Sequence, residues 1–375
     1  MIDLLVLIFF CTAFTYVIQS RTVGYPMAKQ GIKEDLQSRI VYYFIIIAFI
    51  LFAGLRSKYN DTVTYVQGFE LISTDQINLS TILESYGGFE VYQQLIKKYV
   101  STDPQIFIFV TSVLTNLLYI PFIARHTKRM GESIFLYSIG SFLFCMAGLK
   151  QAIAIGISLY SIDAYLEKKY IKAIILLFLA MTFHPYIICL ISIPFLKNKI
   201  WDGKTIVVII IAVLALINLD RVIEIIGLFA KDYSNDTFND YTINPIRVLV
   251  EAVPIVISWQ YRNKISEENN IFLTLGINMK VISFLFIAMG LFVNPIYFGR
   301  MSSYFSALSS MVVPEMLHVC WRDSRYCKGL VLGYYIFFFA YFLMDMTKIG
   351  SISIFFDQFN HVPFSSLFVG KEIMY

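Results

Sequence analysis

Charge is what this sequence is shortest of: Asp, Glu, Lys and Arg make up 15% of 375 residues, against roughly 25% in soluble domains. With 58% hydrophobic side chains and a mean hydropathy of +0.68, a water-soluble globule would have no polar rind to cover its core. The Walker loop, the glycine-rich dinucleotide turn and the Asp-x-Asp pair are all missing, which argues against nucleotide-driven chemistry. Cysteine is sparse too, at five residues. Cys11, Cys145 and Cys189 lie in apolar runs, and Cys320 and Cys327 have neither the close Cys pairs nor the His partners of a zinc site. Neither a disulfide nor a metal is expected. Strand-like alternation is also lacking, since stretches such as 171 to 183 and 206 to 217 are continuously apolar, and this excludes a membrane barrel.

What is present is a series of apolar runs of about 15 to 20 residues, long enough to cross a hydrocarbon core. In lipid the backbone must bond to itself, so the fold class is all-α, a polytopic helical bundle. Spans are expected near 2–19, 40–54, 105–124, 132–147, 149–166, 171–184, 185–196, 205–219, 247–260, 277–297, 301–319 and 330–346, about twelve in one integral membrane domain. The first run has no basic leader and no small-residue cleavage site, so it is expected to be a retained helix.

Basic residues mark the cytoplasmic ends of membrane helices. They cluster here at Arg21/Lys29/Lys33/Arg39, Arg125/Lys128/Arg129, Lys168/Lys169/Lys172, Lys197/Lys199/Lys204, Arg262/Lys264 and Arg322/Arg325/Lys328, in alternate loops. The net charge of +4 reflects that sidedness and not a nucleic-acid surface. Two long segments, 55–104 and 220–246, then fall on the extracytoplasmic side. After Gly88 the positions Phe89, Tyr92, Leu95, Ile96 and Tyr99 recur at helical spacing, predicting an amphipathic helix in the first of them.

Polar residues near membrane depth are costly, which makes them functional candidates. Five groups fall on the predicted outer side. Arg56, Lys58, Asp61 and Tyr65 follow Gly54-Leu55, where Asn60 or Asp61 is equally a helix cap. Glu84 precedes Gly87-Gly88-Phe89-Glu90 and Tyr92. Lys150 and Gln151 open an apolar run, where snorkelling is the plain alternative. His184 stands before Pro185, which opens the helix beside it. Arg300 and Tyr304 follow Asn294-Pro295, and Arg300 has no adjacent acid.

The order GLRS-x3-DT-x2-Y, then Gly87-Gly88-Phe89-Glu90, then KQ-x2-AIGI, then FHP, then GR-x3-YF resembles the EpsG family of bacterial polysaccharide polymerases, which is similar to the Wzy-type O-antigen polymerases. The family's usual Arg-Gln pair appears as Lys150-Gln151, which keeps the charge and loses the planar two-pronged donor. The resemblance implies a GT-C-like membrane glycosyltransferase, needing no cofactor, in the bacterial inner membrane, with its site facing the periplasm or cell exterior. It implies transfer of a growing glycan from undecaprenyl diphosphate to the non-reducing end of another lipid-linked repeat unit, with a chain-length regulator protein as a further partner. Arg56, Lys150 and Arg300 are then the diphosphate ligands, since fixed cations stabilise a departing diphosphate. Asp61, Glu90 and His184 are the candidate bases for the acceptor hydroxyl, and Lys58, Tyr65, Glu84, Tyr92, Gln151 and Tyr304 the substrate contacts. Two rivals share these features, a flippase for the same lipid-linked sugar and a membrane acyltransferase modifying surface sugars; a transporter of this kind should show internal repeats and mid-membrane charges.

The expected sidedness is testable by cysteine labelling in intact spheroplasts. A membrane-impermeant reagent is expected to modify a cysteine at position 75 and spare one at position 128; the reverse pattern inverts the topology.

Overall fold

The computed structural model describes residues 2–21, 36–74, 81–82, 86–197, 199–204, 206–207, 210–211, 214, 243–292, 295–349 and 359–368. Among these every regular element is helical, and the one β-type contact is an isolated bridge between Arg56 and His361. Among the described residues five helices are long and apolar enough to cross a membrane: Gln37–Gly54, Pro104–His126, Met130–Ala147, Ile271–Met289 and Arg325–Thr347. Shorter apolar helices cover Ile2–Val17, Tyr170–Phe183 and Pro185–Leu196. Most of the expected span 205–219, most of the segment 220–246, and Glu84 lie outside the described residues.

The chain forms two compact units, residues 1–188 with 342–375, and residues 189–341. In the first unit the helices are α1 (Ile2–Arg21), α2 (Leu36–Gly54), α3 (Thr62–Leu71), α4 (Gly87–Tyr99), α5 (Pro104–His126), α6 (Met130–Ile139), α7 (Ser141–Ala147), α8 (Leu149–Leu166) and α9 (Tyr170–Phe183). The expected span 132–147 is thus broken at Gly140, the C-cap of α6, while 149–166 is α8 to the residue.

These helices define two ends. At one, Gln105 Nε2 donates to the Gly54 carbonyl (2.7 Å), which brings the start of α5 against the end of α2. At the other, His126 Nε2 lies 2.9 Å from an Asp163 carboxylate oxygen, which joins the ends of α5 and α8. Arg125 also reaches Asp163, at 3.5 Å. The basic turns around 125–129 and 167–169 therefore share one end, and the turns after Gly54, before Leu149 and after Phe183 share the opposite one.

α4 is amphipathic as expected: Phe89 and Ile96 are buried with Phe69, Phe107, Ile108, Leu149 and Ile153. Two of the five expected stripe positions point elsewhere, since Leu95 and Tyr99 are exposed while Gln93 and Gln94 are buried. Lys97 of α4 caps the C-terminus of α3 by donating to the carbonyls of Phe69, Glu70 and Ile72 at 3.0, 2.8 and 2.9 Å.

The second unit contains α10 (Ile193–Leu196), α11 (Pro245–Gln260), α12 (Arg262–Glu267), α13 (Ile271–Met289), α14 (Pro295–Phe305), α15 (Ser309–Trp321) and α16 (Arg325–Ile349) up to Tyr341. The run expected over 277–297 starts earlier, at Ile271, because the Asn270 side chain accepts from Leu273 N–H (3.1 Å) and caps it. The run expected over 301–319 is two helices. They part at 306–308, where Ser306 Oγ donates to the Ser303 carbonyl (3.1 Å) and competes with the helical ladder.

Midway along α13, Lys280 is paired with Glu251 of α11, and both side chains are largely buried, at 9% and 16% exposure. Removing one member strands the other charge, which costs about 3–5 kcal/mol, whereas an apolar pair of similar volume does not. Glu251→Ala is expected to lower the thermal midpoint of the detergent-purified protein sharply, and Glu251→Leu with Lys280→Met to restore it. A Glu251→Ala protein as stable as wild type would show that the pair carries no buried charge.

Candidate functional site

The end of α2 is closed by Arg56, whose side chain is 1% exposed. Its guanidinium donates to the Ala53 carbonyl, to the Met146 carbonyl (2.8 Å) and to Thr62 Oγ1 (3.3 Å). All these partners are neutral, so the charge stays uncompensated by any of them. Burial lowers the Arg56 pKa to about 10, which still leaves the group cationic at neutral pH. Three consequences follow for local structure: α2 is capped, α7 is tied to it, and the first turn of α3 is fixed through Thr62.

The intervening turn is strained. Tyr59 and Asn60 have φ of 117° and 44°, a region that L side chains rarely adopt. Asp61 stands at the N-cap position of α3 but makes no side-chain cap hydrogen bond, so the capping reading does not hold; Thr62 Oγ1, donating to the Tyr59 carbonyl at 2.7 Å, organises the turn instead. Lys58 and Asp61 are exposed. One turn into α3, the Tyr65 ring meets Phe89 edge-on, with centroids 5.8 Å apart.

Around Phe89 the second, third and fourth polar groups come together. Lys150 Nζ lies over the Tyr86 ring at 4.7 Å and over the Phe89 ring at 5.5 Å, in cation–π geometry. His184, 4% exposed, packs edge-on against the same Tyr86 ring at 5.2 Å and against Tyr186 at 5.5 Å. Tyr86 holds this position in a left-handed conformation (φ 63°). Glu90, on the first turn of α4, is exposed, and Gln94 Nε2 donates to it at 3.4 Å. Gln151, the next residue of α8, is buried.

The paired glycines make this convergence possible. A Cβ on Gly88 would sit 2.2 Å from Thr182 Oγ1 and 3.0 Å from the Thr182 carbonyl carbon, so α4 touches the last turn of α9 only because side chains are absent there. That contact sets His184 beside Tyr86. Tyr92 is used in packing: its hydroxyl is hydrogen-bonded to Thr111 Oγ1 at 3.0 Å and its ring lies among Phe89, Phe107 and Phe183.

In the second unit, Arg300 is half-buried on α14, and its carbonyl accepts from Ser303 Oγ (2.6 Å). Tyr304 is fully buried and offers no open face. Ser283 and Ser302, 2.9 Å apart, fasten α14 to α13. Sequence reading missed Gln105 and Met146, whose roles come from backbone carbonyls, and it missed the C-terminal residues that reach the Arg56 turn. Only Gly87-Gly88, a pair rarely wanted inside a helix, carried a local signal.

The sequence model of the EpsG family matches residues 39–363. No curated protein and no solved structure matches the chain.

Two glycines make a matched test. Gly88→Ala drives a Cβ into Thr182, its side chain first, and is expected to destabilise the purified protein by about 1–3 kcal/mol. Gly68, in α3, has nothing within 4 Å, so Gly68→Ala is expected to add about 0.5–1 kcal/mol. Equal thermal midpoints for the two variants would remove the close contact from the account.

Proposed function

The chain belongs to the EpsG family, and from that premise we propose that it is a polysaccharide polymerase acting on lipid-diphosphate-linked repeat units, a GT-C-like enzyme with about twelve spans. The observation that carries the reading is the Lys150–Tyr86–His184 cluster at one end of the first unit, beside the N-termini of α4 and α8. A cation held by aromatic rings between two positively polarised helix ends suits a diphosphate.

In the proposed reaction the anomeric carbon of the donor glycan breaks its bond to the diphosphate oxygen, which leaves with the electron pair. The acceptor sugar's hydroxyl oxygen bonds to that carbon and gives up its proton. Lys150 neutralises the charge growing on the leaving diphosphate. Arg56 adds its uncompensated charge from beneath the turn and does not need to touch the substrate. His184, in contact with the ring that Lys150 covers, is assigned as the base. Exposed Asp61, Glu90 and Lys58 are assigned to acceptor hydroxyls, with Tyr65 and Gln151 positioning the groups around them. Arg300, in the second unit, is proposed as a further diphosphate ligand on the family pattern and is tested by itself.

One observation favours the transporter reading, the Lys280–Glu251 pair inside an apolar helix. The two readings part on product: loss of a polymerase leaves single-repeat glycans at the surface, and loss of a flippase leaves none.

The test is glycan chain length at matched protein level in a deletion host. Lys150→Met and Arg300→Ala are each expected to lower polymer formation by about 100- to 1000-fold, the usual effect of removing one electrostatic donor. Arg300→Lys should recover part of the activity, since it keeps the charge and loses the fork. Lys150→Arg should be tolerated. Full-length polymer from Arg300→Ala would return Arg300 to membrane anchoring, and from Lys150→Met would end the cluster's role.

A further inference from the structure

The turn after α2 is held from outside itself. Phe359 O accepts from both Ser57 N–H and Lys58 N–H at 3.0 Å, Val362 N–H donates to the Leu55 carbonyl at 2.8 Å, and Ser57 Oγ donates to the Asn360 carbonyl at 2.7 Å. His361 Nε2 donates to the Phe52 carbonyl at 3.0 Å. The Phe359 ring packs on Tyr59 and on Phe52, each at 4.9 Å, and is itself fully buried. These contacts span about three hundred residues of sequence, as the separation of 303 between Ser57 and Asn360 shows. They fall on the stretch whose backbone is strained at Tyr59 and Asn60. Strained backbone persists only where surrounding structure over-determines it.

We infer that residues 359–362 are a positioning element of the site: the C-terminal segment is strapped across the 55–60 turn and fixes where Arg56, Lys58 and Asp61 stand, with His361 as its positioning residue. The inference rests on the polymerase reading only for its activity measurements. The physical argument is one of donors. Without the strap, Ser57 and Lys58 N–H lose their acceptor and Phe52 its donor, and a turn that local preference does not favour has nothing to hold it. The strap's His361 also forms an antiparallel backbone bridge with Arg56, whose side chain is 1% exposed. A charge so enclosed is pre-oriented, and a displacement of about 1 Å in such a group costs about 100-fold in rate.

The test uses the full-length chain with Ser57→Cys and Asn360→Cys together, oxidised or reduced, and alongside it His361→Gln, His361→Phe and truncation after residue 358. The expected result is a high cross-link yield by peptide mass spectrometry, with the same polymer length from oxidised and reduced protein. His361→Gln, which keeps an N–H for the Phe52 carbonyl, should retain most activity. His361→Phe should lose much of it at matched abundance, and truncation about 100-fold, in turnover more than in apparent acceptor affinity. Failure to cross-link overturns the inference. So does a cross-linked protein that is inactive until reduced, which would make the segment a gate that must lift, and so does full polymer from the truncated chain. Cross-link yield reads the contact without reference to glycan, so failure of the polymerase reading would show in the deletion host and not here.

Discussion

Hydrocarbon leaves no water for a backbone to bond to, so the unpaired backbone groups where helices stop must find partners within the protein. The first unit shows what this constraint does. Each of its candidate site residues lies within a few positions of a helix terminus: Arg56 after α2, Asp61 before α3, Glu90 at the start of α4, Lys150 at the start of α8, His184 just past α9. Helix ends supply unpaired N–H and C=O groups along with the charge of the helix dipole. Here those groups are taken up by side chains from other helices. Arg56 closes carbonyls of α2 and α7, Gln105 closes the Gly54 carbonyl, and Lys97 closes the end of α3.

The same economy explains why the cations differ in kind. Arg56 is spent on neutral carbonyls and a hydroxyl inside the protein, which satisfy its N–H groups and leave its charge in place. Lys150 rests on the faces of the Tyr86 and Phe89 rings in cation–π geometry. Two cations held in these ways at one end make a field that favours an anion. By contrast, at the opposite end of the unit Asp163 is ion-paired with Arg125 and in hydrogen-bond contact with His126. The two ends are thus chemically distinct, one fastened by a shared carboxylate and the other by carbonyls and aromatic rings.

Strain is concentrated at the Arg56 end. Tyr59, Asn60 and Tyr86 all have positive φ; the first two flank Lys58 and Asp61, and the Tyr86 ring touches Lys150 and His184. Their conformations are held by remote partners: Phe359 for Tyr59, and the Gly88–Thr182 contact for the helix that Tyr86 opens. Stability given up in a turn is regained through packing elsewhere, which is the usual arrangement where geometry matters more than local preference.

Composition and period alone were enough for the all-helical class, the apolar runs, the amphipathic α4 and the polar groups themselves, because each of these depends on residue type and near-neighbour spacing. Short motifs in order were enough for the family. The alternating basic clusters were enough to place the turns at 125–129 and 167–169 together, as the His126–Asp163 contact does. What tertiary structure decided was which side chains are enclosed and by what. Arg56 and Tyr304 are buried, Leu95 and Tyr99 are not, α13 starts at its Asn270 cap, and the run over 301–319 is two helices. Burial, close backbone approach and a bond from Phe359 to Ser57 are properties of residues far apart in the chain. No periodicity encodes them, since the partner's position is fixed only when the helices pack.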